Sequence, residues 1–209
     1  MNITALRPRF IAHLEPVADL CITLGLSPNQ ISLLSLIFGL GCAISYMGGE
    51  FFLGSTLLLI SAILDLIDGS VARKKGMQTK FGAVVDWIID KYVDSFALLG
   101  IGLSGLAVLT RFFALSPLAD WGIVSLAIIG SMINTFIKPV VYAEVGFKER
   151  VGGKIEDPLE GIGFFGRPET ILFLITGGLT GFLWISVLVI AICTNLSAIE
   201  RIVYLYNNL

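Results

Sequence analysis

Asp65, Asp68, Asp86, Asp90 and Asp94 stand among apolar residues, in stretches long enough to cross a bilayer as helix. A carboxylate in such a place is costly to keep, and by default it marks a functional site. Asp65 and Asp68 are at i,i+3 and Asp86 and Asp90 at i,i+4, so each pair shares one helix face. Taking the facing helix ends as Arg73 and Gly82, with a rise of ~1.5 Å per residue, Asp68 and Asp86 lie roughly 6–8 Å in and Asp65 and Asp90 about 12 Å in. Two antiparallel neighbours would then present four carboxylates at two matching depths, a hard-oxygen cage for one or two divalent cations. Oxygen donors that must also meet a phosphate favour magnesium or manganese over zinc. Two such ions suit an in-line displacement, because they clamp the attacking and leaving oxygens. Gly69 and Ala72 leave their helix face bare, so a planar base or a diphosphate could approach the backbone closely. Arg73, one residue on, is suited to gripping a phosphate.

The elements that position these groups follow from composition. Of 209 residues, 56% are apolar and 14% charged, with mean hydropathy +0.88; a soluble domain carries about a quarter charged residues. The chain is expected to be an all-α polytopic membrane protein with six transmembrane helices. The first runs from about Ile31 to Met47 after Ser27-Pro28-Asn29, which breaks the preceding segment and caps the span. The others cover Phe51 to about Arg73, Gly82 to Leu109, about Trp121 to Tyr142, and two helices between Pro168 and Asn207 divided by Gly177, Gly178 and Gly181. Residues 1–24 mix Arg7, Arg9, His13, Glu15 and Asp19 into apolar positions. They read as an amphipathic juxtamembrane helix on the membrane surface and not as a cleavable signal; residues 25–209 form the catalytic domain. Cys21, Cys42 and Cys193 are scattered and read as packing residues.

Charge sets the expected orientation. One side collects Arg7, Arg9, Arg73, Lys74, Lys75, Lys80, Lys148, Arg150, Lys154, Arg167 and Arg201, and the other has Arg111 alone. The positive-inside bias puts both termini and the carboxylate cage at the cytoplasmic face of the cell membrane.

Residues 65–90 read Asp65-x2-Asp68-Gly69-x2-Ala72-Arg73-x8-Gly82-x3-Asp86-x3-Asp90. This pattern resembles the signature of the CDP-alcohol phosphotransferases, and Ser27-Pro28-Asn29-x2-Ser32 is similar to that family's lead into its first span. The resemblance implies a six-helix homodimer with a polar cavity open to the cytoplasm. It implies that Asp65, Asp68, Asp86 and Asp90 hold two divalent cations on the CDP diphosphate, with Asp90 also the general base. It further implies nucleotide contacts from Gly69, Ala72 and Arg73, together with Asn29, Ser32 and Thr79. The implied reaction displaces CMP from CDP-diacylglycerol, CDP-archaeol or a soluble CDP-alcohol with an acceptor hydroxyl.

Lys138, Arg150, Lys154, Arg167 and Arg201 gather on the cytoplasmic side of the later spans, which suggests an acceptor that carries phosphate. Asp90-Lys91-Tyr92-x-Asp94 and Gly166-Arg167-Pro168-Glu169 resemble the inositol-phosphate branch of the family; glycerol 3-phosphate is the alternative. Lys91 replaces that branch's usual arginine, and Tyr142-Ala143-Glu144 lacks the arginines that usually follow the tyrosine. Lys138, Arg150, Arg167 and Asp94 are the candidate acceptor residues, Asp94 having a salt bridge to Lys91 or Lys138 as its other reading. An EF-hand is excluded, because its acids alternate before the glycine. An ion-coupled transporter through Asp86, Asp90, Asp94, Lys91 and Lys138 is the competing class, but the chain has no evident inverted repeat and its acids sit toward one helix end. No feature suggests a nucleic-acid partner.

Overall fold

The computed structural model describes residues 7–146, 150–151, 154–155, 159 and 161–209. Lys148 and the side chains of Arg7, Arg9, Arg150 and Lys154 lie outside the described residues, Arg150 among them as a candidate acceptor residue. The described helices are α1 (Arg7–Thr23), α2 (Pro28–Met47), α3 (Phe51–Lys74), α4 (Lys80–Leu103), α5 (Leu118–Val145), α6 (Arg167–Thr180) and α7 (Leu183–Asn208). In the α5–α6 connection, β1 (Arg150–Val151) pairs antiparallel with β2 (Lys154–Ile155), Arg150 opposite Ile155.

By length and composition α2, α3, α5 and α7 can cross a membrane. Two of the six expected spans fall short of that standard for different reasons. α4 carries Asp86, Asp90, Lys91 and Asp94 within its 24 residues, and α6 has only 14, about 21 Å of helix. The third span was expected to reach Leu109, but α4 stops at Leu103, followed by Gly105 at φ +71°. The next residues wrap around Asp120 of α5, whose carboxylate accepts the N–H groups of Val108, Leu109 and Thr110 at 3.0, 2.6 and 3.1 Å. A carboxylate that can satisfy three backbone donors outcompetes one more turn of helix. Gly181 caps α6 in the left-handed region at φ +80°. Gly177 and Gly178 lie inside α6 instead, where Gly178 lets the helix close on Ser55 and the Phe51 carbonyl of α3.

Helix packing closes a ring: α2 against α3, α3 against α6, α6 against α7, α7 against α5, α5 against α4, and α4 back against α2. The acid-bearing helices α3 and α4, expected as direct neighbours, touch less than any adjoining pair in this ring. α2 holds them both. Ser35 and Ser61 donate to each other's backbone carbonyls at 3.0 and 2.8 Å, locking α2 to α3. Gly39 lies under Val93, and Gly100 under the Ala43 carbonyl, so α2 and α4 approach where any side chain would collide. Carboxylates repel one another, and the open face between α3 and α4 is where they gather. The main core fills the ring with Tyr46, Leu58, Leu98, Ile101, Leu174 and Ile190, all fully buried, while Leu33, Ile44, Ile129 and Ile192 lie exposed on its outside.

α1 rests on the other side of α3. Ala18 and Cys21 pack on Ile67 and Val71, and Lys74 reaches Asp19 and Glu15 at 2.6 and 3.2 Å. Phe10 and Leu20 remain exposed on α1, and Leu24 just beyond its end. The Ser27 cap is a full capping box, with Ser27 accepting from the Gln30 N–H and Gln30 Oε1 accepting from the Ser27 N–H.

Candidate active site

The helical spacing brings the first acids together as anticipated: carboxylate oxygens of Asp65, Asp68 and Asp86 all lie within 4.8 Å of one another. Oxygens on opposite sides of one magnesium or manganese ion stand about 4 Å apart, so this hard-donor triad fits such an ion with small side-chain turns. Ser32 on α2 donates to Asp68 Oδ2 at 2.6 Å and so fixes the most buried member.

Asp90 lies outside that triad. It belongs to a second cluster organised by Arg167, the first residue of α6. The guanidinium donates from Nη1 to Asp65 Oδ2 at 2.9 Å and from Nε to Asp94 Oδ1 at 3.2 Å. Its Nη2 lies 2.9 Å from Asp90 Oδ1, close enough for an ion pair though not aligned as a hydrogen bond. Asp94 is 1% exposed and also accepts from Lys91 at 3.1 Å, while Lys91 donates on to Thr135 Oγ1 of α5 at 3.0 Å. Asp65 is therefore common to both clusters. Asp94 pairs with Lys91, as one reading of its spacing allowed, and with Arg167 as well. Lys138, half-buried, lies one turn beyond Thr135 on α5.

The remaining candidates lie on α2, on α3 and at the start of α4. A side chain at Gly69 would meet nothing nearer than Arg73 Nη1 at 3.5 Å, so that face of α3 is open to an approaching group. Arg73 is exposed and donates to Ser70 Oγ at 3.0 Å; Ala72 beside it is half-buried. Asn29 is exposed in the first turn of α2, and Thr79 caps α4 by accepting the Gly82 N–H at 2.9 Å.

Arg201, counted among the cations near the cavity mouth, is instead a buried strut, 5% exposed. It donates to the Ile162 carbonyl at 3.0 Å and to the carbonyl of Asn134. Asn134 donates to the Phe165 carbonyl at 2.6 Å, and Ser197 and Glu200 accept the N–H groups of Phe165 and Phe164. Glu169 closes the cap on the Gly166 N–H at 2.9 Å. These contacts seat the segment that delivers Arg167, and local spacing carries no signal for them. Arg201→Ala removes these two hydrogen bonds from a charged donor, each worth about 1.5–3 kcal/mol. The variant is expected to unfold at clearly lower temperature in detergent, and an unchanged Tm would show that the strut carries no load.

Known proteins resemble this chain in sequence and in fold. The family pattern described as CDP-alcohol phosphatidyltransferase matches residues 25–194. The archaetidylinositol phosphate synthase of Pyrococcus horikoshii is 26% identical over 200 residues, covering 96% of this chain and 94% of that protein. The phosphatidylinositol phosphate synthase of Corynebacterium glutamicum is 31% identical over 172 residues, covering 80% and 69%. Among solved structures, the Mycobacterium tuberculosis phosphatidylinositol phosphate synthase with CDP-DAG bound superposes with a TM-score of 0.70 at 22% identity, covering 90% of this chain and 91% of that one. The same enzyme with manganese and citrate gives 0.73 at 20% identity, covering 92% and 88%.

Proposed function

The chain belongs to the CDP-alcohol phosphatidyltransferase family, a membrane phosphotransferase that releases CMP and uses divalent metal, and we propose that it transfers the phosphatidyl or archaetidyl group of a CDP-linked lipid to inositol phosphate. The observation that carries this reading is the adjacency of the Asp65–Asp68–Asp86 triad to the Arg167 cluster. A cage for cations on a diphosphate thus abuts a guanidinium positioned for a second anion. The names of the relatives support the same acceptor.

Asp65, Asp68, Asp86 and Asp90 are the residues that would hold two divalent ions, whose chemistry when bound is to screen the diphosphate and stabilise its leaving oxygen. Asn29, Ser32, Gly69, Ala72, Arg73 and Thr79 line the donor side. The bare Gly69–Ala72 face admits the nucleotide, and Arg73 meets its phosphate. Asp90 accepts the proton of the acceptor hydroxyl. The acceptor oxygen then bonds to the phosphorus bearing the lipid, the anhydride bond breaks, and CMP leaves with the bridging oxygen and its electron pair. Arg167 and Lys138, with Arg150, seat the acceptor phosphate, and Asp94 steers Arg167 and Lys91.

α4 and α6 complete six spans in this reading, since the charges of α4 face the ring's interior cluster and short α6 is backed by α3 and α7. The basic side of the chain faces the cytoplasm, α1 lies at that surface with Phe10, Leu20 and Leu24 toward lipid, and the enzyme acts as a homodimer.

The test is CMP release from CDP-diacylglycerol and CDP-archaeol with inositol phosphate, inositol and glycerol 3-phosphate as acceptors. Inositol phosphate is expected to be used best; a clear preference for glycerol 3-phosphate, or for unphosphorylated inositol, would overturn the assignment. Arg167→Ala and Lys138→Ala are expected to raise the acceptor KM tenfold to hundredfold, the equivalent of about 1.5–3 kcal/mol for a lost phosphate contact. Donor KM is expected to move little. An unchanged acceptor KM in both variants would place the phosphate elsewhere.

A further inference from the structure

Arg167 holds Asp65 and Asp90, two of the four carboxylates assigned above to the cations. We propose that Arg167 is an exchangeable counter-ion: its guanidinium occupies the space between Asp65 and Asp90 until a second divalent cation displaces it, so that loading this cation frees the arginine for the acceptor phosphate. The inference rests on the cation cage proposed above and adds an order of events to it.

The two clusters differ in readiness. Asp65, Asp68 and Asp86 already converge within 4.8 Å, and Arg167 touches only one of them. A first cation can therefore bind with Arg167 still held by Asp90 and Asp94. A second site needs Asp90, and Arg167 Nη2 stands 2.9 Å from Oδ1 of that carboxylate. A guanidinium and a dication cannot both sit closely on Asp65 and Asp90, because like charges at that range repel.

The exchange leaves no buried charge stranded. Asp94, 1% exposed, keeps Lys91 at 3.1 Å when Arg167 departs. Only Asp65 and Asp90 lose a partner, and the incoming cation replaces it. Taking the cation out of a buried ion pair is strongly destabilising, so release without a replacement is disfavoured and the two events are coupled. Motion is confined to the side chain. The backbone of Arg167 is tied by the Gly166–Glu169 cap and the Phe165–Ser197 bond, whereas its side chain is 23% exposed, with room to turn.

Manganese binding to the purified protein in detergent, without donor or acceptor, tests this by counting free Mn2+ in its electron paramagnetic resonance signal. Wild type is expected to show one tight and one weaker site. Arg167→Gln is expected to tighten the weaker site at least about tenfold, and Arg167→Lys, which keeps charge but loses the fork, less so. Unchanged or weakened manganese affinity in Arg167→Gln would overturn the exchange while leaving the cage intact. Absence of manganese binding in wild type would overturn the cage reading itself, and the exchange with it. A second measurement needs no variant: phenylglyoxal, which modifies accessible guanidinium groups, is expected to label Arg167 several-fold faster when manganese is present. Equal labelling with and without manganese would overturn the proposal.

Discussion

Asp90→Asn is expected to lower CMP release by about 10²–10⁴-fold, the range a positioned general base supplies, while donor binding stays largely intact. The amide matches the carboxylate in size and can still sit beside Arg167, but it cannot take a proton from the acceptor hydroxyl. Asp90 also stands apart from the converged triad, so the first cation and the CDP group keep their holding groups in the variant. Asp65→Asn is the contrasting case. Asp65 belongs to both the triad and the Arg167 cluster, and its loss is expected to weaken cation and donor binding together. Single-turnover assays with titrated CDP-lipid separate the two. A near-normal rate in Asp90→Asn would assign proton removal to another group, the acceptor's own phosphate being the nearest in kind.

Exhaustive chelation is expected to bring CMP release below detection, with magnesium or manganese restoring it. The physical ground is the triad. Three carboxylates within 4.8 Å cannot also approach an anionic diphosphate unless cations neutralise them. Arg167 reaches Asp65 alone among the three, and its remaining contacts go to Asp90 and Asp94. Calcium is expected to restore activity poorly, because its bonds of about 2.3–2.6 Å and loose geometry place the two oxygens of the displacement differently from the roughly 2.1 Å octahedral magnesium. Full turnover in chelator would sink the cage, whatever the role of Arg167.

Much of the site was legible because it is local. Asp65 with Asp68, and Asp86 with Asp90, share helix faces by spacing alone, and Gly69 and Ala72 bare the face beside them. The helix start at Ser27 was likewise open to reading, since a cap is a matter of three or four residues; the span expected from Gly82 instead starts at Lys80, capped by Thr79. The end of α4 was not. Extending it to Leu109 was reasonable from hydropathy, but Asp120, more than ten residues on, takes the N–H groups that another helical turn would have used.

What the sequence determined by itself, then, is the set of charges that cannot face lipid and their helical phase. Both follow from burial cost and a period of 3.6 residues, which act within one helix, whereas the reaction class came from the resemblance of residues 65–90 to a family signature. The tertiary structure alone decided which charges meet. It put α2, not direct packing of α3 on α4, in charge of the spacing between the acid-bearing helices. It turned Arg201 from a cavity cation into a strut and brought Arg167 across 102 residues of chain to Asp65. Such pairings depend on how close two backbones can come at glycines such as Gly39, Gly100 and Gly178, and on where a buried carboxylate finds its cation. Both are properties of surfaces distant in the chain, and no local spacing encodes them.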